Sequence, residues 1–427
     1  MLSQVETYLH SESFEKVALR LYGSREGTLV KRRARYAKLA ARHEARFGGE
    51  VGEHFFFSAP GRTEIGGNHT DHNRGRVLAA AVNLDTVALV TRTGDDKIVV
   101  DSEGFPPISV SLSDLSIRER DYGTTRALIR GTAAVLAEMG KKIGGFRATV
   151  TSNVLRGSGL SSSAAFEVLM AAIMDGLYNG FTLDSKTRAI VAQRVENIFF
   201  GKPCGLMDQM ASSVGGLVTI DFGPDDPKVE ALSYDFDAEG YALCVVNTGG
   251  SHGDLTDDYA AIRAEMEAVA KCFGKTVLRE VPKEQFEAEI SRLRSIVGER
   301  AILRAMHFYD ENERVAEQVT AIQEKNLPAF FDAVKRSGDS SWELLQNVYA
   351  RPAEEQMALG IELSRRFLAG SGAARVHGGG FAGTIQAYVP SSRLADYRLR
   401  MESVFGEGCA QPLRIRPDGA VMLPLDI

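Results

Sequence analysis

Cysteine is scarce. Cys204, Cys244, Cys272 and Cys409 are the only four in 427 residues. They are too scattered for a metal-ligand spacing, and such usage predicts free thiols in a reducing cytosol. Positive charge is also thin. The net charge is −6, and the one basic run, Lys31-Arg32-Arg33-Ala34-Arg35, lies in an amphipathic helical pattern. A solvated face explains that run, so no nucleic-acid partner is expected. No uninterrupted apolar window reaches ~18 residues, so no membrane span or membrane partner is expected. Residues 1–14 lack a basic stretch followed by an apolar one, so no signal peptide is expected and the predicted location is cytoplasmic. No internal repeat and no low-complexity segment is found. What is present is ordinary for a soluble globular protein: 44% hydrophobic and 25% charged residues. The length is too great for one compact core and suits two domains.

The most informative stretch runs from Asn153 to Val168. Phe146–Ser152 reads as a strand before it, and Ala164–Leu177 as a helix within and after it. Between them, Gly157 and Gly159 permit backbone conformations that a Cβ forbids. Ser161, Ser162 and Ser163 fall where the helix begins, and their hydroxyls are expected to cap free N–H groups. A helix start with bare N–H groups attracts phosphate. The stretch from Gly157 through Ser158, Gly159, Leu160 and Ser161 to Ser163 is therefore a candidate phosphate cradle. It is not a Walker loop, because no lysine follows the last glycine in the required place. An ordinary Gly/Ser turn before a helix is the competing reading.

Three further segments carry chemistry. In residues 59–73, Arg62, Asn68, His69 and Asp71 crowd a predicted loop and could hold a polyol, with Arg62 steadying a phosphate. His69, Asp71 and His72 as metal ligands, or a plain polar turn, are the alternatives. In residues 199–212, Gly201, Pro203 and Gly205 force a loop. Asp208 follows it between Met207 and Met210, and a carboxylate in apolar company is paired, functional or an N-cap. Glu196 lies on the predicted helix Thr187–Phe200. In residues 374–384, Gly378, Gly380 and Gly383 form Gly-x-Gly-x-x-Gly. They precede a strand, Ile385–Val389, instead of opening a helix, so a dinucleotide site is rejected. These glycines are expected to let the backbone approach a ligand or a neighbouring loop.

Elsewhere the pattern predicts helices at 13–21 and 29–47, an N-terminal extension. Strands are predicted at 77–82, 86–91, 217–221 and 241–247. Residues 223–237 are a candidate domain boundary, and helices dominate from 254 to 367.

The order of segments is Gly-Arg-x-x-x-x-Gly-x-His-Thr-Asp, then Gly-Leu-Ser-Ser-Ser-Ala-Ala, then Gly-x-Pro-Cys-Gly-x-Met-Asp-Gln, then Gly-Gly-Gly-Phe-x-Gly. From about residue 55 to about residue 390 this resembles the GHMP small-molecule kinases, and within them the galactokinase family. The resemblance implies an α+β fold of two domains with the active site in the cleft between them. Residues 1–225, with a helical extension over 1–50, would form one domain and 226–427 the other. It implies ATP and Mg²⁺, and transfer of the γ-phosphoryl group to the anomeric hydroxyl of a sugar. Galactose leads; arabinose, a hexuronic acid, N-acetylgalactosamine or a non-catalytic sugar sensor are the alternatives. Retention of Asp208, Arg62, Glu196 and Ser163 argues against the sensor.

By matching position, Gly157 to Ser163 would hold ATP phosphates, and Ser163 with Glu196 would hold Mg²⁺. Asp208 would lie beside the sugar O1 and Arg62 between it and the phosphates. Asn68, His69, Asp71, Gly205 and Tyr259 would contact the sugar; Tyr259 follows His252 by seven residues, as in the family. Four positions depart from the pattern. Asn68 stands in place of a Glu that contacts the sugar near C6, Glu64 in place of Asn, Leu155 in place of Pro, and Thr125 in place of Trp. The first exchange is expected to weaken a charge-assisted bond to a sugar hydroxyl, so Asn68→Glu is expected to shift the preference among galactose, arabinose and galacturonic acid.

Overall fold

The computed structural model describes residues 1–48, 52–154, 159–250, 255–381 and 383–425. Three helices open the chain: α1 (Leu2–Leu9), α2 (Glu12–Tyr22) and α3 (Thr28–Phe47). Their apolar stripes, Phe14, Leu21, Tyr36 and Leu39 among them, close over Phe56, Val87 and Leu89 of the first sheet. That packing stabilises short helices which would be marginal alone.

The first sheet is built on two long strands, β1 (His54–Gly66) and β2 (Arg76–Arg92). The sequence reading made a loop of residues 59–73 and split the second strand in two. Both continue because helices or neighbouring strands cover their faces, so burial runs on without alternation through Arg62 and Glu64. The sheet is completed by β3 (Lys97–Ser102), β4 (Ile108–Ser111), β5 (Phe146–Ser152), β6 (Leu217–Asp221) and β7 (Lys228–Leu232). Helices α4 (Thr125–Glu138), α5 (Ser162–Asn179), α6 (Ser185–Val195) and α7 (Met207–Val214) pack on it. Helix α5 is buried almost all round, from Ala164 to Leu177, as befits a helix threaded through a core.

The second sheet begins with β8 (Tyr241–Gly249). A helical stretch follows: α8 (Thr256–Lys271), α9 (Lys283–Ala288), α10 (Ile290–Val297), α11 (Glu299–Gln323), α12 (Leu327–Ser340) and α13 (Gln356–Leu368). The chain then adds β9 (Ala373–Val376), β10 (Gly383–Pro390), α14 (Leu394–Phe405) and β11 (Ala410–Leu413). The strand order is β11-β8-β10-β9, all antiparallel. The last strand, β12 (Val421–Pro424), returns to the first sheet and pairs with β1, giving the order β12-β1-β2-β5-β3-β4, with β6 paired to β2 and β7 to β6. The two halves share a core in which Ile65 and Leu78 meet Val245, Val315, Phe330 and Tyr388. The fold is α+β, and β1 runs along the seam between its halves.

Candidate active site

Arg62 and Glu64 stand two residues apart on β1 in regular register with Ala81 and Ala79, so both side chains leave the same face of the strand. Both are buried, and both line a cleft of about 250 Å³. Asp208, in the first turn of α7, reaches the cleft with its side chain 33% exposed. It is not an N-cap; Leu206 holds that position. Arg62 Nε donates to Asp208 Oδ1 at 2.7 Å, and Arg62 Nη1 donates to the Gly159 carbonyl. Burial pushes the Asp208 carboxyl upward, but the Arg62 charge and the hydrogen bonds from Arg62 and Ser161 outweigh it. The group is held below the ordinary aspartate range and is ionised at neutral pH.

Of the phosphate-cradle residues, Gly157 and Ser158 lie outside the described residues, as do Leu155 and His252. Gly159 takes φ +68, and a Cβ there would stand 2.9 Å from His377 Nδ1. Leu160 is buried, and its carbonyl accepts the Arg62 backbone N–H at 3.0 Å, which pins the loop to β1. Ser161 corrects the sequence expectation. It sits before α5 with φ 53, a region uncommon outside glycine, and its side chain makes no cap. Its hydroxyl instead donates to Asp208 Oδ2. Ser162 and Ser163 open α5, and Ser163 lines the cleft.

Glu196 is buried in a π-helical turn, Glu196–Phe200, that ends the helix expected to run on to 200. Gln209 Nε2 donates to Glu196 Oε2 at 2.8 Å and to Glu167 Oε2 at 3.1 Å. Glu167 Oε1 and Gln209 Oε1 are buried without a protein partner among the described residues. Burial, with the Glu196 charge beside it, pushes Glu167 up to about 8. Sequence reasoning missed Glu167 and Gln209. The signal was available: Glu167 is four residues beyond Ser163 on one helix face, and Gln209 adjoins Asp208.

The remaining candidates divide into two groups. Asp71, His69 and Gly205 line the cleft. Burial and the Asp208 charge raise Asp71, and a Cβ on Gly205 would stand 2.1 Å from Asp71 Oδ2. His69 Nε2 donates to the Gly379 carbonyl at 2.8 Å, and burial holds its pKa down at about 4, so the ring is neutral. Among the described residues, no three His, Cys, Asp or Glu side chains are grouped as a metal site.

Asn68 and Tyr259, expected to contact sugar, do not line this cleft. Asn68 is fully buried. Its Nδ2 donates to Gly378 O at 2.7 Å and Glu64 Oε1 at 3.0 Å, while Oδ1 accepts from Asn347 at 2.7 Å and Ser341 at 3.3 Å. All four of its hydrogen-bonding positions are used within the protein. Tyr259 donates its hydroxyl to Gly380 O at 2.8 Å and sets its ring edge-on to Phe381. The glycines 378–380 lie in the connection between antiparallel β9 and β10, and a Cβ on Gly380 would meet the Asn347 carbonyl at 2.1 Å. They serve close backbone approach, not a dinucleotide.

Known proteins resemble this chain in sequence and in fold. Residues 41–92 match the galactokinase galactose-binding signature, and residues 127–216 match the GHMP kinases N terminal domain. A galactokinase from Mannheimia succiniciproducens is 30% identical over 344 residues, covering 80% of this chain and 86% of the relative. One from Streptomyces coelicolor is 32% identical over 372 residues, covering 84% and 92%. In fold, Lactococcus lactis galactokinase complexed with galactose superposes with a TM-score of 0.78 at 24% identity, over 90% of this chain and 99% of that one. Methanococcus jannaschii mevalonate kinase gives 0.61 at 16% identity, over 85% and 99%. With both family signatures matched and at least 30% identity to galactokinases over four-fifths of its length, the chain belongs to the galactokinase family of GHMP kinases.

Proposed function

We propose that this kinase transfers the γ-phosphoryl group of ATP to the anomeric hydroxyl of galactose. One observation carries the reading. The ionised Asp208 is held between Arg62 and Ser161, with the phosphate loop on one side and Asp71, Gly205 and Glu64 on the other. We assign the lobes flanking the cleft to residues 1–225 and 226–427, the last strand crossing back to the first lobe. The free thiols suit a reducing cytosol, and no helix among the described residues is long and apolar enough to cross a membrane.

Phosphoryl transfer asks for positioning and charge neutralisation more than covalent help. Asp208 accepts the hydrogen bond of the sugar hydroxyl, orients its oxygen and takes up the proton as that oxygen becomes acidic. Arg62, touching both Asp208 and the loop carbonyl, places positive charge between nucleophile and phosphate. The N-terminus of α5, whose N–H groups Ser161 leaves without a side-chain cap, would hold the phosphates of bound ATP.

The residues also fit Mg²⁺. Ser163 and Glu196 line the cleft and would supply oxygen ligands, and Glu167 Oε1 and Gln209 Oε1, on the side chains that Gln209 links to Glu196, have no partner among the described residues. A cation there would neutralise phosphate charge. Glu196→Gln is expected to raise the Mg²⁺ concentration for half-maximal rate by roughly tenfold or more, read from a Mg²⁺ titration of ADP release. An unchanged titration would make Glu196 structural.

Gly205→Ala is expected to act on the sugar alone. The added Cβ must displace the Asp71 carboxylate, raising KM for galactose by roughly tenfold or more while KM for ATP stays put. Equal KM values in both proteins would remove Asp71 from the sugar shell. The reading as a whole is tested by ADP release across a monosaccharide panel with and without Mg²⁺. Galactose is expected to give the highest kcat/KM; no sugar-dependent release would overturn it.

A further inference from the structure

We propose that Glu64 sets which sugar the enzyme accepts, by presenting one carboxylate oxygen to the substituent at the end of the ring opposite the reacting carbon. The proposal rests on the sugar-kinase reading above and adds a residue to it. Glu64 Oε1 is fully committed, accepting from Arg375 Nη2 at 2.6 Å and Asn68 Nδ2 at 3.0 Å. Oε2 has no protein partner among the described residues, and Glu64 lines the cleft. An unpartnered carboxylate oxygen is tolerated there only because it faces a place where a hydroxyl can donate to it.

Position along β1 says which end of the sugar that is. Arg62 holds Asp208, where the reacting hydroxyl binds, and Glu64 follows one alternation later on the same face, roughly 6–7 Å away. A hexose ring with its reacting carbon at Asp208 therefore sets its far substituent at Glu64. Arg375 and Asn68, both fully buried, fix the side chain in that pose, and Arg375 also donates to the Ile65 carbonyl at 2.8 Å, so it cannot swing away with its partner. Burial pushes Glu64 up to about 7 against the pull of Arg375 and Arg62, with Glu311 adding to the rise; a substrate carboxylate would meet like charge in a place that already resists it. A neutral hydroxyl is accepted, a hexuronate is repelled, and a pentose lacking the far substituent leaves Oε2 without its donor.

The test compares kcat/KM for galactose, arabinose and galacturonic acid in wild type, Glu64→Gln and Glu64→Asp. Glu64→Gln is expected to lower the galactose-to-galacturonate ratio by roughly tenfold or more, mainly through KM. Glu64→Asp keeps a charge beside Arg375 but withdraws the oxygen. It is expected to raise KM for galactose, bring galactose toward arabinose, and still exclude galacturonate, which covers the case in which the glutamine variant fails to fold. If wild type phosphorylates galactose and neither folded variant moves these ratios, the role of Glu64 is overturned while the kinase reading stands. If wild type phosphorylates none of the three, the kinase reading fails first.

Discussion

Asp208→Ala is expected to lower kcat by roughly 10²-fold or more, the scale of a positioned acid–base group, with ATP affinity nearly unchanged. In the proposed mechanism the side chain serves both halves of the reaction. Oδ1 takes the Arg62 bond at 2.7 Å, and Oδ2 takes the hydroxyl of Ser161 from the phosphate loop. Removing it deprives the sugar hydroxyl of its acceptor and lets Arg62 and the loop relax. Asp208→Asn separates these effects: it keeps the shape and one acceptor oxygen but cannot take a proton, so it is expected to lose rate with little change in KM for the sugar. Because Arg62 holds the carboxylate below its ordinary range, any acid limb of kcat owed to Asp208 lies below the usual aspartate range, and activity near neutrality is flat with respect to this group. A folded Asp208→Ala protein with near wild-type turnover would remove the residue from the chemistry.

Asp85→Ala is expected to cost about 3–5 kcal/mol of stability, the range for stripping one partner from a buried ion pair. Asp85 is fully buried in β2. It accepts from Arg35 at 2.5 Å, Ser58 at 2.5 Å, Tyr22 at 2.6 Å and the fully buried Arg416 at 3.2 Å. One carboxylate thus ties α2, α3, β1 and the C-terminal segment to the sheet behind the cleft. Urea unfolding followed by circular dichroism is the measurement; the midpoint falls with the slope unchanged. A loss under ~1 kcal/mol would contradict the account. The pH dependence has a definite sign. Burial raises Asp85, but Arg35 and Arg416 outweigh it and bring the folded group down to about 2 from 3.8. The pair's contribution, about 2 kcal/mol, is therefore complete above pH ~4 and is lost as pH falls toward 2.

Part of the site was legible because it depends on short-range sequence. A strand, glycines and a serine triplet before an apolar helix specify a strand–turn–helix locally, and β5 and α5 form where the pattern put them, on either side of the proposed phosphate cradle. Asp208 among methionines demanded a partner, and Arg62 supplies it from 146 residues away. What stayed hidden depends on tertiary cover. The polar run after residue 58 reads as a loop, yet β1 carries it to Gly66 because flanking elements bury both its faces. Ser161 reads as a cap, but its backbone turns its hydroxyl to Asp208. Asn68 and Glu64 read as two odd residues in one turn; only the fold shows that Asn68 lies beneath the cleft and steadies the Glu64 that lines it. The helix α14 and the returning strand β12 carry too little local pattern to be placed without their neighbours.

The central claim is transfer to the anomeric oxygen of a sugar, and NMR of the product tests it most directly. With ATP, Mg²⁺ and galactose labelled with ¹³C at C1, the account predicts that the C1 signal acquires phosphorus coupling and that one reducing end is lost for each ADP formed. ADP formed with the reducing end intact, and C1 uncoupled from phosphorus, would contradict it.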